Sequence, residues 1–218
     1  MSRFRLLAVS ALSVAAFGTA AAQGQPVPAG QPAPQRAPVT PRAAQSTLAR
    51  VEALINVRMI GGNWVPAATI AGPARIAIEY GQPHARGRNV MGLKDIVPWD
   101  TVWRSGANMA THLTTEVDIT IGNTFVPRGI YTLFTYPSRA GWKLIVSRQL
   151  LQWGTDYDSR QDFARIDLRS RTLAEPLETL TYWIVPAVEA GTSTTLPHGV
   201  IKLAWGNIEV STDWRVGR

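Results

Sequence analysis

From about Pro66 onward, apolar and polar residues alternate with a period of two. Ile76, Ile78 and Tyr80 alternate with Arg75, Ala77 and Glu79; Val117, Ile119 and Ile121 alternate with Glu116, Asp118 and Thr120. Ala164, Ile166 and Leu168 are interleaved with Arg165, Asp167 and Arg169, and Ile208 and Val210 with Glu209 and Ser211. Successive side chains of a strand point to opposite faces, so each run predicts a strand with one buried and one wet face, as in antiparallel sheets. Ile130–Tyr136 and Leu180–Val185 are largely apolar throughout. They predict strands covered on both faces, either central in a sheet or roofed by a loop.

Turn residues punctuate these runs. Gly122-Asn123 separates one strand pair, Pro127-Arg128-Gly129 suits a type I turn, and Pro137–Gly141 closes a hairpin between Ile130–Tyr136 and Trp142–Arg148. Ala187–Pro197 reads as a long, mostly polar loop before His198–Trp205. Short strands at this spacing, with no strong helical pattern among them, predict an all-β domain over residues 66–218: an antiparallel β-sandwich or Greek-key barrel of about eight to ten strands. A membrane barrel does not fit, because the outward positions carry Arg, Asp and Glu instead of an apolar band.

The first 65 residues break the pattern. Met1–Ala22 has a basic start at Arg3 and Arg5, an apolar run from Leu6 to Phe17, and the small-x-small pair Ala20 and Ala22. This predicts a secretory signal peptide cleaved after Ala22; the run is too short for a membrane span. Export to the periplasm or the medium is the expected localisation. Gln23–Gln45 holds six of the chain's 15 prolines and predicts an extended, disordered linker. Residues 46–65 support two readings. Leu48, Val51, Leu54 and Ile55 have helical spacing, with Ser46 or Thr47 as a cap, whereas Ile55, Val57 and Met59 alternate like a strand. The first reading, a short helix, is preferred.

Composition narrows the chemistry. Of 218 residues, 45% are apolar and 17% charged, enough to build a sizeable core. Cysteine is absent, which excludes disulfides, thiol nucleophiles and cysteine-ligated metals. The net charge of +7 suggests a nucleic-acid partner until it is located: from Glu52 onward there are 17 basic and 15 acidic residues. A domain so near neutrality has no broad nucleic-acid footprint.

His84, His112 and His198 contain no pair at i,i+2 or i,i+4, so no local metal chelate is visible and no metal or cofactor is expected. Asp156, Asp158 and Asp162 alternate as calcium ligands do, but Arg160 and Gln161 stand where an EF-hand loop needs an oxygen ligand and a glycine. Nucleophile elbow, P-loop and dinucleotide fingerprint are all missing. One stretch stands apart. Tyr80–Thr111 combines Arg86, Arg88 and Arg104 with Trp99 and Trp103, then Gly106-Ala107-Asn108. Arginine beside flat aromatics suits a small anionic or sugar-like ligand, through bidentate bonds and stacking. The structural alternative is that Arg104 and Asn108 satisfy loop carbonyls and lock an irregular connection.

The motifs IEYGQPHARGR (Ile78–Arg88), VPWDTVWRSGANMAT (Val97–Thr111), VPRGIYTLFTYP (Val126–Pro137), WKLIVSRQ (Trp142–Gln149), WGTDYDSRQDFARI (Trp153–Ile166) and LAWGNIEVS (Leu203–Ser211), in this order, resemble a bacterial family, the domain of unknown function 2911. The resemblance covers about residues 66–214. It implies a secreted β domain and supplies no activity. Arg88, Trp103, Arg104, Gly106, Ala107, Asn108, Ala110 and Thr111 fall on the family's most recognisable motif. Met109 stands where the family often has Glu, and His84 and His112 fill positions held there by Ser or Thr.

Three functions remain open on the sequence. The first is a non-catalytic ligand-binding module whose cleft is edged by Arg88, Trp103, Arg104 and Asn108, with His84 and His112 nearby. The second is an envelope hydrolase or isomerase with a histidine base. The third is a structural or interaction domain that pairs through an edge strand.

Overall fold

The computed structural model describes residues 46–55, 57–60, 63–66, 74–187 and 196–218. The expected signal peptide and linker lie outside the described residues, as does most of the loop expected over Ala187–Pro197. The remainder is almost entirely antiparallel strand. Ser46–Ile55 (β1), Val57–Ile60 (β2), Asn63–Pro66 (β3) and Ala74–Pro83 (β4) come first. Thr111–Thr115 (β5), Ile119–Ile121 (β6), Thr124–Val126 (β7), Gly129–Tyr136 (β8) and Trp142–Ser147 (β9) follow. Two long strands, Asp162–Pro186 (β10) and His198–Val216 (β11), end the chain. The single helical element among the described residues is a 3-10 turn at Ser159–Gln161.

Nine strands run in the order β1-β4-β5-β8-β9-β10-β11-β6-β7, while β2 and β3 form a separate hairpin. β10 pairs with β9 over Asp162–Leu168 and with β11 from Arg169 to Pro186, so it serves both layers of a sandwich. Leu113, Leu133 and Leu144 of one layer meet Tyr182, Leu203 and Val210 of the other around a void of about 20 Å³. The two ends of the strand order do not pair, so the sheet is not a closed barrel.

Most outward positions of the alternating runs are exposed or half-buried, but Ala77, Thr120 and Glu209 are buried. Ile76, Ile78 and Tyr80 are buried beside exposed Arg75 and half-buried Glu79. Gly122, with φ +56°, turns β6 into β7, and Pro137–Gly141 joins β8 to β9. β8 is central between β5 and β9 and covered on both faces, as its continuous apolar pattern predicts. Its outer face is roofed by residues 148–161: Tyr157 sits edge-on to Phe134 at 4.9 Å, and Gln152 Nε2 donates to Thr132 Oγ1 at 3.2 Å. Leu180–Val185 differs. It is buried through Leu180, Tyr182 and Ile184 only, and Val185 is exposed.

The helix preferred at the start of the domain is a strand instead. β1 pairs with β4 over ten residues, from Ser46↔Pro83 to Ile55↔Ala74. The odd-numbered Ala49, Val51, Ala53 and Ile55 turn inward, which leaves Leu48 and Leu54 exposed. The helical spacing of Leu48, Val51 and Leu54 therefore unites residues from opposite faces of a strand. A ladder along an apolar sheet face outweighs a local preference worth a few tenths of a kcal/mol per residue, roughly the spread of helix propensities.

Candidate functional site

The segment between β4 and β5 is built from turns held by their own backbone. Arg86 and Gly87 take left-handed conformations (φ +54° and +72°), and the turn docks on β10 where Ala85 N donates to Glu178 O at 2.7 Å. His84 faces Thr179, its Nδ1 2.8 Å from Thr179 Oγ1. The Arg88 side chain folds back over the turn, with Nε donating to Ala85 O at 2.8 Å and Nη2 to His84 O at 2.9 Å.

Trp103 exchanges both backbone bonds with Thr135, at 2.8 and 2.9 Å. Its indole is 4% exposed and stacks on Trp205 at 6.2 Å, nearly parallel. It therefore forms the floor of the site and offers little face for stacking on a ligand. After it the chain makes a close loop. Ser105 Oγ donates to Thr135 Oγ1 at 3.0 Å, Ala107 N donates to Gly81 O at 3.0 Å, and Thr111 Oγ1 donates to Ser105 O at 3.2 Å. The approach to β4 requires glycine at position 81, because a Cβ there would overlap the Ala107 carbonyl oxygen. Arg104 Nε donates to Gly106 O at 3.0 Å, and burial lowers the guanidinium pKa from its ordinary value. Asn108 is exposed in the left-handed region (φ +63°), and its carbonyl accepts from Gly154 N at 2.9 Å.

These turns enclose a cleft of about 230 Å³ lined by His84, Arg86, Arg88, Asp95, Trp103, Arg104, Asn108 and Trp205. Five of the six residues singled out in the sequence line it; His112 does not. His112 lies one residue beyond Thr111 on β5, so strand alternation turns it to the opposite face, in register with Glu79 and Thr132. Its Nδ1 is 3.5 Å from Thr132 Oγ1. Burial lowers its pKa, partly offset by the Glu79 carboxylate and a backbone hydrogen bond at Tyr131.

Asp95 and Trp205 are cleft residues that sequence reasoning did not single out. Asp95 was visible inside the unusual stretch, but Trp205 belongs to β11, about a hundred positions away, and only the sandwich brings it near. Elsewhere, Asp158 is engaged by Arg160, and Asp162 by Tyr157 and Arg165, so two of the three alternating aspartates are spent on local partners. Among the described residues no group of His, Asp and Glu is arranged to hold a metal ion. No helix among them is long and apolar enough to cross a membrane.

The fold and cleft define an open, all-antiparallel β-sandwich with an arginine-rich site beside one end of its strand β4. The family model for Protein of unknown function (DUF2911) matches residues 65–213, and the chain belongs to that family. Neither a curated protein nor a solved structure matches the chain.

Proposed function

We propose that this domain is an exported, non-catalytic module that binds a small anionic or sugar-like ligand in the cleft between the Arg86–Arg88 turn and Arg104. The observation that carries the reading is the charge of the lining: three guanidinium groups and a single carboxylate, Asp95, around one concavity. Guanidinium groups present planar forks of donors matched to carboxylate and phosphate oxygens. Carbonyl bonds hold Arg88, and partly Arg104, in place before any ligand arrives, which reduces the ordering cost of binding. A cleft of about 230 Å³ suits a monosaccharide acid or a small polycarboxylate better than a drug-sized molecule, whose pockets begin at roughly 300 Å³.

A hydrolase or isomerase with a histidine base stands second. His84 Nδ1 is bonded to Thr179, and His112 lies outside the cleft lining.

Calorimetric titration with glucuronate, citrate and inorganic phosphate, and with glucose as the neutral control, tests the reading. Saturable binding of at least one anion, weakened about tenfold or more by Arg104→Gln, is expected. Equal heats for Arg104→Gln and the parent chain, or no binding of any anion at millimolar concentration, overturn it. Export is tested separately: the mass of the mature protein should correspond to a chain that starts at Gln23.

A further inference from the structure

β1 is a long terminal strand of the main sheet. Among the described residues it pairs only with β4, whereas the strand at the other end, β7, has three residues. A ten-residue edge invites pairing with another chain unless it is blunted by proline, lysine or a bulge. β1 contains neither proline nor lysine, and its register with β4 is unbroken.

The outward-facing side chains of β1 are Leu48, Arg50, Glu52 and Leu54. Leu48 is 74% exposed, because its neighbour on β4 is Gly81, which offers no side chain. Read from either end, this series is apolar, charged, charged, apolar, and its two charges are opposite. Such a strand is complementary to itself when it runs antiparallel to a second copy.

We propose that a second copy of this chain pairs with β1 edge to edge, antiparallel, about a two-fold axis through Val51. A two-fold axis perpendicular to the sheet keeps each face of the sheet continuous across the interface. Centred on Val51, it sets Arg50 opposite the partner's Glu52 and Leu48 opposite the partner's Leu54. Centred on Arg50 it would oppose two guanidinium groups, and on Glu52 two carboxylates; like charges directly opposite are destabilising. Only the Val51 register pairs both charges and both leucines. In the single chain Arg50 bonds its own Glu52 at 3.0 Å and lies 3.8 Å from Glu79, in exposed contacts that cost little to rearrange. Across the interface the partner's Glu52 extends that row to Glu79, Arg50 and a second carboxylate.

Sedimentation equilibrium of the full chain, in a concentration series into the high micromolar range, is expected to show a monomer–dimer equilibrium. Arg50→Glu and Glu52→Arg should each weaken the dimer by roughly tenfold or more. An equimolar mixture of the two variants should associate, because every charge then meets its opposite. A register test stands apart from these variants. The double variant Leu48→Cys/Leu54→Cys should be joined into a covalent dimer by a short bifunctional thiol reagent, since opposed Cβ atoms lie about 4.5–5.5 Å apart, slightly wider than a disulfide spans. Leu48→Cys alone should not, because its own copy is six residues away along the strand. A monomer at every concentration, a dimer unaffected by Arg50→Glu, or equal crosslinking by Leu48→Cys alone would overturn the proposal.

Discussion

The Tyr182 hydroxyl donates a 3.1 Å hydrogen bond to the Ser105 carbonyl, tying β10 to the loop that shapes the arginine cleft. Thr111 Oγ1 donates to the same oxygen, and burial pushes the tyrosine pKa well above its ordinary value. Tyr182 also receives support from Tyr80, whose hydroxyl accepts from Tyr182 N at 3.2 Å and whose ring meets the Tyr182 ring edge-on at 4.8 Å. A buried carbonyl with two donors predicts non-additive energetics. Tyr182→Phe and Thr111→Val should each cost about 1 kcal/mol, because one donor remains. The double variant should cost more than the sum, because the carbonyl is then left without either side-chain donor. Urea unfolding of the four proteins measures the coupling; strict additivity would show that the carbonyl is satisfied in another way.

Gly81→Ala should be among the most damaging single-methyl changes in the protein. The added Cβ meets the backbone oxygen of Ala107, which cannot swing aside as a side-chain tip would. Overpacking of this kind costs about 3 kcal/mol. The melting temperature should fall by roughly 6–12 °C for a domain of this size, as calorimetry would show.

Asn108 separates the two readings of its own position. Its left-handed backbone is comfortable for glycine and strained for a β-branched residue. Asn108→Gly should leave the melting temperature nearly unchanged, while Asn108→Val should cost about 1–2 kcal/mol. If the side chain serves the cleft, Asn108→Gly weakens anion binding without loss of stability; if only the backbone matters, binding is untouched.

Stability should depend on pH through His112. Burial holds its folded pKa below the ordinary value of 6.5, so the unfolded chain binds the proton more readily. This contribution is fully present above pH 6.5 and is lost as pH falls from there through the lowered folded value. His112→Gln should flatten that part of the profile. Denaturant midpoints measured between pH 7.5 and 5 check it. An unchanged slope in the variant would assign the titration to another group.

Much of the architecture was legible because a sheet face writes itself into sequence as a period of two. Ile76–Ile78–Tyr80 announced β4, and the unbroken apolar run of β8 announced a strand covered twice. β1 was misread because its exposed face carries leucines. Leu48 and Leu54 are apolar at positions where a solvated strand is ordinarily polar, and that filled in a false helical spacing. The cleft was legible where its residues are neighbours in sequence. Its limits were set by contacts that spacing does not encode: His112 sits between Glu79 and Thr132 in the sheet, outside the cleft lining, and the sandwich brings in Trp205.

One strand, β10, supplies an edge to each layer of the sandwich, and this has a kinetic consequence. Neither layer can open while the other stays closed without bending a continuous 25-residue element at Leu168–Arg169. Amide hydrogens on both sides of that junction should therefore exchange together, through a single global opening, and not as two separable units. β10 pairs with its sequence neighbours, but β11 then pairs with β6, Trp214 opposite Ile121, roughly ninety residues away; that step closes a long loop, and refolding should be slow for a domain of this length.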